Sequence, residues 1–94
     1  MRKSDYKAPG GKLVRVRLSE EKGVIKSVEI TGDFFLVPED DLPKLESMLV
    51  GSKLDQQSVK TVVDNFFRKT HAEGLGVAQD DFVTAIVSSR EEKN

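Results

Sequence analysis

The chain has 94 residues, a formal net charge of -1, no cysteine and one histidine. A length of this order makes one domain and not two, and the missing thiols exclude a disulfide framework, a thiolate metal site and a cysteine nucleophile. One imidazole, His71, builds no zinc site by itself, and a near-neutral balance does not suit a general polyanion binder.

Hydrophobic residues make up 37% and charged residues 33% of the chain. A domain of this size buries only about two thirds of its unfolded surface, so an apolar patch left outside is expected to meet a partner. No run approaches the roughly twenty apolar residues of a membrane span, and the first residues lack a signal-peptide core. A soluble chain in the cytoplasm is the expectation.

Residues 1–11 (MRKSDYKAPGG) are polar and end in a Pro-Gly-Gly turn signal, which predicts an N-terminal arm. Charge is uneven here: up to Arg17 the chain carries Arg2, Lys3, Lys7, Lys12, Arg15 and Arg17 against the single acid Asp5. Tyr6 and Lys7 are candidates for a docking element at the end of that arm.

Residues 12–18 alternate, with Val14, Val16 and Leu18 on one side and Leu13, Arg15 and Arg17 on the other, which predicts a half-buried antiparallel strand. A polar loop ending at Gly23 leads to a second strand over 24–31, where Val24, Val28 and Ile30 share a face that Lys26 interrupts. Gly32-Asp33 ends it in a turn, and residues 34–37 read as a third, buried strand. Neighbouring strand residues point to opposite faces. Phe34 and Phe35 therefore divide between core and surface, and one of them is a candidate interface residue.

Pro38, three acids and Pro43 predict a helix start capped by aspartate, with Leu42, Leu45, Met48 and Leu49 at helical spacing and Gly51 as its stop. The acids lack the alternation and glycine of a calcium loop. Asp55 opens a longer helix to about residue 73, with Val59, Val62, Val63, Phe66 and Thr70 on one face and His71 in its last turn. Residues 74–77 read as a tight connector. A third helix follows over 79–89, with Phe82, Ala85 and Ile86 inward, then a charged tail.

The order predicts an α+β fold, a three-stranded antiparallel sheet followed by three helices packed on one face. Its parts are an arm over 1–11, one domain over 12–90 and a tail over 91–94. No nucleophile, base and metal ligand converge, so no catalytic residue or metal site is assigned. A basic N-terminal hairpin leaves open a free-standing nucleic-acid module, but one tyrosine makes no stacking platform.

Tyr6 to Val16 (YKAPGGKLVRV) and Ile30 to Phe35 (ITGDFF), with Gly23-Val24-Ile25, Pro38-Glu39 before a Leu-rich helix closed by Gly51, and Gly76-Val77 before the DFVTAI helix, together resemble the C-terminal accessory domain of lipoate-protein ligases. The similarity runs from residue 6 to residue 86 and is greatest to the stand-alone small subunit of two-subunit archaeal ligases. It implies a fold like that of iron-sulfur scaffold proteins (SufE/NifU-like), without their cysteine chemistry. It also implies a partner, the catalytic large subunit, where ATP, Mg and lipoate combine to lipoyl-AMP before transfer to a lysine of an acceptor domain. No cofactor is expected on this chain itself. The docking surface is expected to involve Tyr6, Lys7, Lys12, Gly32, Asp33, Phe34 and Phe35.

Overall fold

The computed structural model describes residues 1–91. Val14, Val16 and Leu18 are fully buried while Arg15 and Arg17 are exposed, so the alternation forms strand β2 (Leu13–Glu21) as expected. It pairs antiparallel with β3 (Val24–Gly32). The interruption at Lys26 has a physical cause. Ser27 lies opposite Ser19 but Ile25 lies opposite Glu20, so one residue of β3 bulges out. The bulge changes the parity of the strand. Ile25, instead of Val24, becomes the fully buried residue.

The sheet has four strands and not three. Residues 2–7, expected to be part of an arm, form β1 (Arg2–Lys7) inside the sheet, between β2 and the short β6 (Arg90–Glu91), which replaces the start of the expected tail. Residues 92–94 of that tail lie outside the described residues. The strand order is β3-β2-β1-β6, each neighbour antiparallel. The register sets Arg2, Ser4 and Tyr6 opposite the buried Leu18, Val16 and Val14, so polar side chains occupy the core face of β1. The last helix and the residues just after it satisfy them. Ser4 Oγ donates to the Ala85 carbonyl at 2.5 Å, Tyr6 OH donates to Asp81 Oδ1 at 3.4 Å, and the Arg2 guanidinium donates to the Ser89 carbonyl.

Residues 34–37 do not extend this sheet. A separate ribbon forms from β4 (Phe35–Val37) and β5 (Glu73–Leu75), the latter spanning the expected end of the second helix and the start of the expected connector. A 3-10 turn (Glu39–Asp41) leads into α1 (Leu42–Leu49). Pro43 sits in the first turn as expected, but Asp41 makes no capping bond; its carboxylate pairs with Lys44 Nζ at 3.0 Å.

Helix α2 (Gln56–Thr70) is capped by Asp55, which accepts from Ser58 N–H at 2.8 Å. It ends at His71, in the left-handed conformation at φ 56° with its N–H donating to the Phe67 carbonyl, earlier than the expected stop near residue 73. Helix α3 (Gln79–Val87) begins where the Asp81 carboxylate accepts from Ala78 N–H at 2.7 Å. α1 lies over β3, α3 lies over β1 and β2, and α2 spans the two helices. The core between them holds Phe66, Phe82, Leu45, Leu49, Ile30 and Ile86, all essentially inaccessible. Lys60 Nζ, 3.4 Å from both Asp64 and Asp80, ties α2 to the start of α3, and those two carboxylates raise its pKa, Asp64 first.

The Asp55 cap makes stability depend on pH in a known direction. The Ser58 N–H bond is the main reason its pKa lies below the ordinary 3.8. A carboxylate with a depressed folded pKa stabilises fully above its unfolded value and loses that contribution as pH falls through the folded one. Asp55→Ala is therefore expected to melt lower than the parent at pH 6, and the gap is expected to close as pH drops below 3.8. Paired thermal melts across that range measure it. A gap independent of pH would contradict the cap.

Candidate functional site

The residues singled out in the sequence gather at one end of the sheet, where β1 stops, β2 starts and β3 stops. Lys7 faces Leu13 across the first pair, and Gly32 faces Val14 across the second. The intervening turn is closed by Ala8 N–H donating to the Lys12 carbonyl and Gly11 N–H donating to the Ala8 carbonyl, each at 2.8 Å. Past the end of β3, Asp33 Oδ1 accepts from Leu13 N–H at 2.6 Å, so a side chain continues the ladder where the backbone leaves it.

Gly32 is required by space. A β-carbon there would fall far inside contact distance of the Leu13 carbonyl oxygen and 2.9 Å from the Phe34 ring. This close approach turns Phe34 into the core, where it meets Phe82 edge-to-face at 5.3 Å between centroids. Phe35 points the other way and is 56% exposed.

Phe35 is not alone on its side. Val37 follows it by two strand positions, and Leu75 lies directly opposite it on β5. These are 50% and 49% exposed, while Leu36 between them is buried. The outward face of the ribbon is thus a row of three apolar side chains. Beside it opens a cleft of about 360 Å³, with Ile30, Gly32, Phe34, Phe35, Leu36 and Leu42 among its walls.

The ribbon is anchored from below. Gly76, at φ +85°, leaves its α-carbon free for the aliphatic stem of Lys12, and Gly10 lies so close to the Gly76 carbonyl that a β-carbon would sit 2.8 Å from it. The turn between β1 and β2 and the loop after β5 therefore interlock.

The seven expected residues divide by role. Phe34, Gly32 and Asp33 shape the turn. Tyr6 faces inward, and its phenol pKa is raised first by burial and then by the Asp81 carboxylate that accepts its hydrogen bond. Lys12 spends its stem on Gly76. Phe35 and Lys7 remain at the surface.

Val37 and Leu75 were missed. Val37 was legible from its spacing to Phe35. Leu75 had no local signal, because the pairing that places it joins two distant parts of the chain.

The other face of the sheet, free of helices, carries Lys3, Lys7, Arg15, Arg17 and Arg90 at the positions opposite the core. Asp5 pairs with Arg15 at 2.8 Å and Glu29 lies across from Arg17. Because Tyr6 turns inward, this basic face has no ring on which a base would stack. Among the described residues no cluster of three or more His, Cys, Asp or Glu is placed to hold a metal ion, and no helix is long and apolar enough to cross a membrane.

Residues 2–86, from β1 to the body of α3, match the family described as the C-terminus of bacterial lipoate protein ligase. The chain belongs to this family. Over 89 residues it is 35% identical to a Thermoplasma acidophilum protein named lipoate-protein ligase A subunit 2, covering 92% of this chain and 87% of the relative. Its fold matches, at a TM-score of 0.82 and 33% identity, a chain from the solved archaeal lipoylation system of Thermoplasma acidophilum. That work describes a bi-partite lipoate protein ligase and its E2 lipoyl domain, and the match covers 92% of this chain and 94% of that one. The lipoate-ligase match includes β1, so this strand is integral to the family domain.

Proposed function

We propose that this chain is the small, non-catalytic subunit of a two-part lipoate-protein ligase, and that a separate large subunit needs it for ATP-dependent activation of lipoate to lipoyl-AMP. The large subunit would then transfer the lipoyl group to a lysine of a lipoyl acceptor domain. The observation that carries this reading is the near end-to-end correspondence with an archaeal subunit, in sequence and in fold. It is supported by what the site contains: backbone turns, aromatic packing and an apolar ribbon suited to meeting a partner.

ATP, Mg and lipoate belong, on this reading, to the large subunit. Adenylation develops charge on phosphate oxygens and proceeds best with water excluded. A rigid domain closing on the large subunit helps by ordering that site without donating a reacting group. Reconstitution tests the reading. Large subunit, ATP, Mg, lipoate and acceptor domain are expected to yield lipoylated acceptor only when this chain is added, as read by intact-mass spectrometry. Full modification without it would reject the reading.

A further inference from the structure

The geometry points to the outward face of the β4–β5 ribbon, built from Phe35, Val37 and Leu75, as the surface that docks onto the catalytic large subunit; this rests on the two-part reading above. Among the described residues the exposed large apolar side chains are these three together with Met1 and Val50. The three on the ribbon stand on one face, with Phe35 and Leu75 directly opposed. A contiguous apolar cluster that includes an aromatic has the make-up of the buried core of an interface.

The occupant follows from the bi-partite ligase to which the matched chain belongs, and area sets the extent of the contact. The three side chains expose together roughly 250 Å², whereas a stable interface takes about 800 Å² from each partner. The ribbon by itself falls far short of that for any partner, so the contact extends beyond it. The patch fits the apolar centre of a wider contact, with the exposed Glu73, directly across from Val37, in its polar rim. In a two-part ligase no linker raises the local concentration of this domain at the catalytic chain, so contact has to supply the affinity. The interlocking of Gly10, Lys12 and Gly76 holds the ribbon in place before docking, so little conformational freedom is lost on binding. The adjoining cleft of about 360 Å³ has room for one aliphatic or aromatic side chain projecting from the large subunit.

The test uses the full chain and the purified large subunit in isothermal titration, with Phe35→Ser/Leu75→Ser against Arg17→Ser on the basic sheet face. Both replaced apolar residues are half exposed, so the double variant is expected to keep the parent circular dichroism spectrum; if it does not, each single change is titrated instead. The expected result is a Kd weakened at least about 100-fold by the ribbon change and within about twofold of the parent for Arg17→Ser. Parent-like affinity in a folded ribbon variant would overturn the proposal and leave the two-part reading intact. A parent chain that shows no affinity for the large subunit would instead remove that reading. Self-association of the parent, or binding of the acceptor domain, that the ribbon change abolishes while large-subunit affinity is kept would assign the face to that other occupant and overturn the proposal.

Discussion

Replacing Phe34 by alanine is expected to lower the free energy of unfolding by about 4 kcal/mol, while the same change at Phe35 leaves it within about 0.5 kcal/mol. The two residues are neighbours with the same side chain, and only their direction differs. Phe34 is 8% exposed and closes one end of an aromatic chain that runs through Phe82 to Phe67 and Phe66. Truncating it removes the edge-to-face partner of Phe82 and leaves a cavity beside that ring. A domain of this class has only about 5–15 kcal/mol in total, so the Phe34 variant is expected to be partly unfolded at modest temperature. Urea unfolding of the two variants side by side decides it. Equal losses would mean that the turn at Gly32-Asp33 does not direct the rings as described.

Gly32→Ala is expected to be nearly as damaging, lowering stability by about 3 kcal/mol and the Tm by roughly 15 °C. The obstacle is main chain, since the added methyl meets the Leu13 carbonyl, which is fixed within β2 and has no rotamer to change. Relief requires β3 to separate from β2 at its end, which also breaks the bond from Leu13 N–H to Asp33. Gly11→Ala is a useful comparison, because a β-carbon there has nothing within 4 Å although its φ is +94°. It isolates the cost of a left-handed backbone from the cost of a collision. Calorimetric melts of both variants are expected to show a much smaller drop for Gly11→Ala, and similar drops would place the Gly32 effect in its backbone angle alone.

What the sequence made legible was what hydrophobic period can encode. Val14, Val16 and Leu18 announced β2, and the stripes of Val59, Val63 and Phe66 and of Phe82, Ala85 and Ile86 announced α2 and α3, because burial of one face is written in spacing. β1 was illegible for the same reason. Its core-facing residues are Arg2, Ser4 and Tyr6, satisfied by hydrogen bonds to α3 and the residues after it, and no hydrophobic pattern reports a strand whose inner face is polar. The sheet differs from the expected one on two counts: β1 and the β6 that pairs with it were not read, and residues 34–37, read as the third strand, pair with β5 instead.

Lys26 looked like a break in β3 and is accounted for by a bulge, which only the register with β2 shows. In the candidate site, the division between Phe34 and Phe35 was readable from strand parity, but which of them turns inward depends on the approach of Gly32 to Leu13. Leu75 depended wholly on the pairing of β4 with β5, a tertiary contact with no trace in local composition.

The measurement that tests the account most directly is lipoate-dependent exchange of pyrophosphate into ATP by the large subunit, with and without this chain. It reads adenylate formation apart from transfer to the acceptor. Exchange is expected to rise from background only when both chains are present. Equal exchange by an active large subunit alone would contradict it.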